Sequence, residues 1–254
     1  VDLGSDIFMV GDSYAGTFDG QNHTLKINWN NTSGWLAPFY TVNGATIKNL
    51  RTEGEIKSKS YFLSGLVQSA YGNTTISGCV SAVNITSSYT SDRCGAGGLI
   101  SYIYTNTQVT INDCLVTGDI NATTDEGKEG MGGFVYANNG TCTMNNCLYA
   151  GTNNVENNKE RTNTFAYNAT IDNCHYLNPC GATQGEQVTT DQLANGYVAY
   201  KLQKSRNEQV WGQTIGTNNE PQLIAFDNSA KKVYQVAFTY NNEVKAARYA
   251  NKGG

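Results

Sequence analysis

The sequence predicts an all-β fold, a single-stranded right-handed parallel β-helix of about five to six rungs. One short strand pattern returns at intervals of about thirty residues, and further short segments rich in β-branched residues flank each return. The composition agrees, since Gly is abundant at 27 residues, Pro is rare at 3 and only 15% of residues are charged. One such unit leaves its apolar side chains uncovered, so the units must stack into a solenoid.

The most regular part of the unit is a Thr-Ile-x-Asn strand, usually followed by Cys. Its Ile or Met anchor lies at positions 47, 76, 111, 144 and 171, with steps of 29, 35, 33 and 27 residues. We expect these anchors to point inward and to stack on one another. Two residues later a bend is expected in the left-handed backbone region, which Gly, Asn and Asp tolerate best. The bend residues are Asn49, Gly78, Asp113, Asn146 and Asn173.

Two further strands complete the unit. A segment rich in small residues precedes the anchor strand at 63–67, 97–100 and 132–135, and a shorter strand follows it at 54–56, 83–85 and 118–120. The unequal steps place variable loops after this third strand, at 57–62, 87–95, 121–130 and 153–163. Loops of solenoids tend to gather on one edge and to carry function.

Four of the seven cysteines, Cys79, Cys114, Cys147 and Cys174, follow the bend directly. We expect an inward ladder of small buried thiols. A metal cluster is disfavoured, because one ligand per rung along a line cannot surround an ion tetrahedrally. The sequence leaves open whether Cys94, Cys142, Cys174 or Cys180 forms a disulfide, and Cys174 and Cys180 are close enough in sequence to bridge.

The repeat ends after Cys174, so we divide the chain into repeats at 1–180 and a C-terminal capping segment at 181–254. Thr189 or Thr190 is expected to cap a helix that runs to about Lys204 and covers the open end of the core. A strand at 221–224 follows. Strands at 232–240 and 243–249, joined by a turn at Asn241 and Asn242, predict a β-hairpin. This hairpin belongs either to the cap or to a following domain.

Several segments resemble the GLUG-type repeats of bacterial surface proteins. These are 97–100 and 132–135, each followed by an Ile/Met-x-Asn/Asp-Cys strand. The opening from Gly16 to Leu25, with Thr-Phe-Asp-Gly at its start, resembles the first rung of that family. Trp211–Gln213 with Pro221–Leu223 resembles its closing segment. The resemblance covers nearly the whole chain, and it implies a secreted or cell-surface β-helix, often in adhesin-like multidomain proteins, without a defined reaction.

Catalytic patterns are weak. A β-helix enzyme acting on polysaccharides needs acids stacked at one repeat position, and we find only Glu53 or Glu55 with Asp119, separated by Ala82 or Asn84. Asp19 precedes a Gly and is expected to form a hydrogen bond with its own backbone in a turn.

The two histidines, His23 and His175, lie near opposite ends of the repeats. The acidic loop with Asp125, Glu126 and Glu129 matches no calcium-loop template. No catalytic residue, metal or cofactor is therefore predicted.

Tyrosines supply the candidate ligand-binding residues, since aromatic faces on a polar surface suit sugars and protein loops. They are Tyr61 and Tyr89, which lie on the loops together with Phe62, and Tyr71, Tyr104, Tyr136 and Tyr167, which follow successive strands. The alternative is that these rings only shield the core. The predicted function is thus an extracellular adhesion or binding module for a glycan or protein. A passive stalk presenting other domains is the second hypothesis, and a carbohydrate-active enzyme the third.

Charge excludes some partners. The net charge of −4 gives no electrostatic footprint for nucleic acid or for an anionic membrane. No stretch approaches the ~20 apolar residues of a membrane span. The resemblance to GLUG-type repeats implies a chain that belongs to a larger multidomain protein and acts outside the cell.

Overall fold

The computed structural model describes residues 1–31, 34–156, 162–204 and 206–253. The chain forms two compact units, Val1–Glu186 and Gln187–Gly254. Part of the predicted loop at 153–163, namely 157–161, lies outside the described residues.

The first unit is a parallel β-helix, as predicted, with neighbouring rungs joined by parallel strand pairs. Its largest sheet contains β1 (Thr17–Asn31), β3 (Thr46–Ser58), β6 (Asn73–Ser77), β7 (Val80–Ser87), β10 (Gln108–Asn112), β11 (Leu115–Val116), β12 (Ile120–Ala122), β15 (Thr141–Asn145), β16 (Leu148–Tyr149), β17 (Ala169–Asp172), β18 (His175–Tyr176) and β19 (Glu186–Gln187). A second sheet, called here the tyrosine face, contains β2 (Phe39–Asn43), β5 (Val67–Tyr71), β9 (Ile100–Ile103) and β14 (Val135–Asn138). A third contains β4 (Leu63–Ser64), β8 (Ala96–Gly97) and β13 (Met131–Gly132), and one short helix, α1 (Asp125–Lys128), interrupts the rungs.

The predicted anchors stack in register, which confirms the reading of the repeat. Ile47 pairs with Ile76, Ile76 with Ile111, Ile111 with Met144 and Met144 with Ile171. The first four are fully buried, and Ile171 on the last of these strands is half-buried and packs against the same core. Each rung thus covers the apolar side chains of the one before it.

The bend residues also adopt the predicted backbone conformation. Asn49, Gly78, Asp113, Asn146 and Asn173 have φ angles of 53°, 58°, 50°, 54° and 49°. At the last two bends the side chains also link neighbouring rungs, because Asn173 Nδ2 donates to Asn146 Oδ1 at 2.8 Å. Short polar side chains therefore serve twice here: they tolerate the left-handed bend, and they link neighbouring rungs.

Paired glycines before the tyrosine face mark a close approach between rungs. A Cβ on Gly98 would lie 2.1 Å from the carbonyl oxygen of Gly133 and 2.7 Å from Val116 Cγ1. One on Gly133 would lie 2.3 Å from the carbonyl oxygen of Thr164. Only glycine fits where successive backbones come this close, which explains the recurrent Gly-Gly pair.

The cysteine ladder is present, and all seven cysteines are free and buried. The thiol of each cysteine in the ladder points to the backbone oxygen of the anchor residue in the preceding rung. Cys147 Sγ, for example, is 3.7 Å from the Ile111 oxygen. Burial raises the pKa of Cys94 and that of Cys142 to about 12. The bridge considered between Cys174 and Cys180 is absent, because Cys174 Sγ is directed at the Met144 oxygen, 3.6 Å away.

The second unit begins with a capping box, in which the Thr189 hydroxyl accepts a hydrogen bond from the Gln192 amide and the Gln192 side-chain oxygen accepts one from the Thr189 amide. The sequence predicted a single helix up to about Lys204, and this prediction is wrong because the segment forms two helices. The chain forms α2 (Thr190–Ala194) and α3 (Tyr197–Gln203), separated at Gly196 with φ 90°. Left-handed backbone at Gly196 ends the first helix and redirects the chain into the second.

The strands of the second unit form two antiparallel pairs. β20 (Trp211–Gly212) pairs with β21 (Gln222–Leu223), and the Trp211 side chain is fully buried. The predicted hairpin is present as β22 (Val233–Tyr240) and β23 (Glu243–Asn251). Asn241 and Asn242 have φ angles of 50° and 61°, as a two-residue turn with left-handed central residues requires.

Candidate binding surface

Eight aromatic side chains form a continuous group over the tyrosine face and its adjoining loops, called here the aromatic strip. Tyr71 and Tyr104 are equivalent residues of neighbouring rungs, and their rings stack at 4.1 Å and 15°. Tyr104 also contacts Tyr102 at 4.6 Å. The strip comprises Trp35, Tyr40, Tyr61, Phe62, Tyr71, Tyr89, Tyr102 and Tyr104. Adjacent strands in a parallel sheet lie about 4.8 Å apart, so equivalent rings meet face to face.

Phe62 is the centre of the strip. Its ring lies 3.8 Å from that of Tyr61, 5.3 Å from that of Tyr102 and 5.4 Å from that of Trp35. Trp35 is in turn nearly parallel to Tyr40, at 6.2 Å and 22°. Trp35 is the most exposed ring of the strip, at 39%, whereas Phe62 is buried beneath its neighbours.

The backbone at Phe62 is strained. Its φ is 61°, a left-handed conformation that is rare for a bulky residue and costs about 1–2 kcal/mol. Gly95 follows at the equivalent place in the next rung, and a Cβ there would lie 2.7 Å from the Phe62 ring. The chain therefore has a strained backbone at Phe62 and a glycine, Gly95, at the equivalent position of the next rung. Both features allow the Phe62 ring to reach Tyr102. Strain of this kind concentrates at functional sites.

A polar cleft adjoins one end of the strip at the turns of three successive rungs. Its volume is about 540 Å³, and its lining residues are Asn73, Thr105, Asn106, Thr107, Gln108, Asn139, Gly140 and Thr141. None of these eight carries a charge. Asn139 links cleft and strip, because its Nδ2 donates to the Tyr102 hydroxyl. Neutral amides and hydroxyls beside aromatic rings can hydrogen-bond and stack with a polar, uncharged ligand.

The six predicted tyrosines divide into three groups. Tyr61, Tyr71, Tyr89 and Tyr104 lie half-buried in the strip. Tyr136 is only 2% exposed and packs beneath Phe62, so it supports the strip from below and presents no surface to a ligand. Tyr167 is 46% exposed and has no ring contact with another aromatic side chain in the described part of the chain.

Sequence reasoning missed Trp35, Tyr40 and Tyr102. It also treated Tyr71, Tyr104, Tyr136 and Tyr167 as equivalent, which the register contradicts. Tyr71 and Tyr104 each lie four residues after paired Val67 and Ile100, whereas Tyr136 directly follows Val135. Counting from the start of each strand would have separated Tyr136 from the stacked pair.

The acids considered for catalysis are held in other interactions. Glu53 contacts Lys26 at 3.0 Å and Arg51 at 3.1 Å, and the hydrogen bond with Lys26 lowers the pKa of this carboxyl. Glu55 pairs with Lys57 at 2.7 Å. Asp119 Oδ1 accepts hydrogen bonds from the Thr152 amide at 3.0 Å and hydroxyl at 2.7 Å. A lowered pKa opposes a general-acid role for Glu53.

Asp19 and the two histidines have structural surroundings. Asp19 accepts from the Gln21 amide at 3.0 Å, as predicted for the Asp-Gly turn, and from Asn49 Nδ2 at 3.1 Å. His175 is buried, with Nδ1 3.5 Å from a Glu186 carboxylate oxygen. His23 is exposed near the opposite end of the repeats.

The acidic loop folds into α1, capped by Thr124, and Asp125 pairs with Lys128 at 2.7 Å. Within the described ranges, no group of three His, Cys, Asp or Glu side chains is placed to hold a metal ion. Across the same residues, no helix is long and apolar enough to cross a membrane.

A second cavity of about 410 Å³ opens at the N-terminal end of the core. Apolar side chains dominate its lining, among them Leu3, Phe8, Met9, Phe18 and Leu25. Phe18 and Leu25 belong to β1, whereas Leu3, Phe8 and Met9 belong to the segment before it, whose Leu3 amide donates to the Lys26 oxygen at 2.9 Å. The cavity therefore lies between the first rung and this N-terminal segment, at the end of the solenoid core where a cap is required.

No known family of proteins, no curated protein and no solved structure matches this chain. The assignment of the fold therefore depends on the stacked rungs of the structure alone. The resemblance to GLUG-type repeats gains no support from these comparisons.

Proposed function

We propose that the first unit is a non-catalytic extracellular module that binds a neutral glycan along the aromatic strip and the polar cleft. One observation carries the proposal: eight contacting aromatic rings adjoin a cleft whose lining residues are all uncharged. Sugar rings present apolar faces and hydroxyl groups, which match aromatic faces and neutral amide or hydroxyl side chains.

The absence of charge in the cleft favours a neutral ligand over an acidic one. Carboxylated or sulfated polymers are held by Arg and Lys, which supply charge-assisted hydrogen bonds. Among the lining residues, Asn73, Asn106 and Gln108 are exposed amides that can both donate and accept. They suit hydroxyl groups, which also act as donor and acceptor.

The interactions of Glu53, Glu55 and Asp119 favour binding over cleavage, since each of these carboxylates is held in an ion pair or a hydrogen bond with a neighbouring side chain. The extracellular and bacterial setting, the adhesin-like role and the GLUG-type family belong to the same proposal. They are supported by the resemblance of the opening and closing segments and by the polar, weakly charged composition.

Affinity electrophoresis against neutral and acidic soluble polysaccharides, here laminarin, galactomannan and alginate, tests this function. We expect retardation by a neutral polymer and none by alginate. Trp35→Ala and Tyr104→Ala should each weaken binding roughly tenfold or more, because truncating a central aromatic contact costs about 1.4 kcal/mol or more. Tyr104→Phe should bind almost normally, since it keeps the stacked ring.

Tyr167→Ala is the matched control, because Tyr167 is an exposed tyrosine of the same unit outside the strip. Its variant should bind like the wild type. Equal losses for Tyr104→Ala and Tyr167→Ala would contradict the proposal. Retardation by none of the polymers would instead favour the passive stalk.

A further inference from the structure

The hairpin of the second unit has one protected and one unprotected edge. β23 contains Glu243, Lys245 and Arg248, and the register shifts so that Lys245 is left without a partner across the pair, which makes a bulge. Charged residues and bulges are the devices by which proteins prevent an edge strand from pairing with another chain. β22, with the sequence Val-Tyr-Gln-Val-Ala-Phe-Thr-Tyr, has neither.

β22 also presents a row of large apolar side chains. Tyr234, Val236, Phe238 and Tyr240 alternate along the strand, so they share one face of the hairpin. Their exposed fractions run from 44% to 68%. An uncharged, β-prone and exposed edge strand is a template for strand pairing.

The base of the hairpin is fixed, whereas its outer part is free to accept a partner. Val233 is buried, and the Tyr249 ring packs against those of Tyr197 and Tyr200 at 5.5 and 5.6 Å. Asn251 Nδ2 donates to the Gln213 oxygen at 2.7 Å. From Tyr234 to Tyr240 every residue of β22 is exposed, and among the described strands β22 pairs with β23 alone.

We propose that β22 pairs antiparallel with β22 of a second copy of this chain, forming a four-stranded sheet in the order β23, β22, β22, β23. A two-fold axis perpendicular to the sheet brings each strand beside its own sequence. Because β22 carries no charge, this pairing creates no like-charge contact, whereas β23 beside β23 would place the charged Glu243, Lys245 and Arg248 of both copies along the contact. The same symmetry places both apolar rows on one face of the sheet.

The length of β22 suits this partner. Two eight-residue strands in antiparallel register form about eight main-chain hydrogen bonds, and cross-strand neighbours such as Val236 and Phe238 contact their counterparts. A hairpin of only two strands is marginally stable, so addition of two strands stabilises each copy.

Sedimentation velocity of the full chain across a hundredfold concentration range tests the proposal. We expect the weight-average mass to rise from the 27.5 kDa monomer towards twice that value. Val236→Lys, which places a charge on the unprotected edge, should weaken dimerisation at least tenfold. Val244→Lys adds the same charge on β23 and should leave the dimer largely intact. Circular dichroism of both variants checks that they fold.

Single cysteines then locate the contact. We expect an intermolecular disulfide under mild oxidation in at least one of three β22 variants, namely Gln235→Cys, Val236→Cys and Ala237→Cys. The β23 variant Val244→Cys should form none. The native cysteines are all buried, so the introduced thiol is the reactive one. A monomer at every concentration, or cross-linking at position 244 as strong as on β22, would overturn the proposal.

Discussion

Single residues at the bends show how local conformation and rung stacking reinforce each other. Asn146 adopts φ 54° and accepts a hydrogen bond from Asn173 in the next rung. The sequence predicts this bend because Asn, Asp and Gly are the residues that tolerate left-handed backbone. It does not predict Phe62, since nothing in the propensity of a bulky aromatic residue favours φ 61°. That conformation depends on Gly95 of the following rung, which is a tertiary contact.

Replacement of Asn146 separates the contribution of the left-handed backbone from that of the hydrogen bond between rungs. Asn146→Ala should lower the free energy of unfolding by about 2 kcal/mol, because it combines left-handed strain with loss of the amide bond. Asn146→Gly loses the hydrogen bond but tolerates the bend, so it should cost about 1 kcal/mol. Urea denaturation measures both. Equal losses would show that backbone strain at this bend is unimportant.

The buried thiols predict how stability depends on pH. Burial raises the pKa of Cys94 and that of Cys142 to about 12, compared with about 8.5 in an unfolded chain. The unfolded state therefore releases protons first, so the stabilisation is complete below about pH 8.5 and is lost as pH rises towards 12. Each thiol should lower the free energy of unfolding by about 1.4 kcal/mol per pH unit in that window.

Urea midpoints at pH 7, 9 and 10 check this expectation. The variant with both Cys94→Ala and Cys142→Ala is the control, since it should show a shallower decline above pH 8.5 than the wild type. If the two proteins declined in parallel, these thiols would not be the source of the pH dependence.

At the scale of elements, the strands were more predictable than the helix. Anchors such as Ile76 and Ile111 repeat the same chemistry at the same place in every rung, so their register follows from the sequence. The helix after Thr189 occurs once, and its amphipathic pattern continues across Asn195 and Gly196. The left-handed backbone at Gly196 divides that pattern into α2 and α3. Gly196 could have indicated the break between the two helices. The apolar residues on both sides of it, however, keep the spacing of one continuous helix.

Gly98 tests the close approach of neighbouring rungs. Gly98→Ala should lower the free energy of unfolding by about 3 kcal/mol or more, because the new Cβ would lie 2.1 Å from a backbone oxygen. Gly11→Ala is the matched control, since no atom lies within 4 Å of its Cβ position, and it should change stability by less than about 0.5 kcal/mol. Thermal or urea unfolding compares the two, and similar stabilities would contradict the packing argument.

On the scale of the whole molecule, the repeat creates a surface that no single rung contains. Tyr71 and Tyr104 are 33 residues apart in sequence, yet they stack because each occupies the same place in its rung. Trp35 and Phe62 join the strip from the turns at its other end. The sequence predicted tyrosines on the loops and after successive strands but not which rings touch, because unequal loops hide the register. That the second unit caps the core of the first stays a prediction.

Binding without turnover is the central claim, and a titration monitored through Trp35 tests it most directly. Trp35 is 39% exposed, whereas Trp29 and Trp211 are fully buried, so a ligand on the strip should alter the emission of Trp35. Titration with a neutral polysaccharide such as laminarin should give a saturable fluorescence change that Trp35→Phe abolishes. New reducing ends, assayed in the same samples, should stay at the level without protein. Accumulating reducing ends, or saturable binding that leaves Trp35 emission unchanged, would contradict the claim.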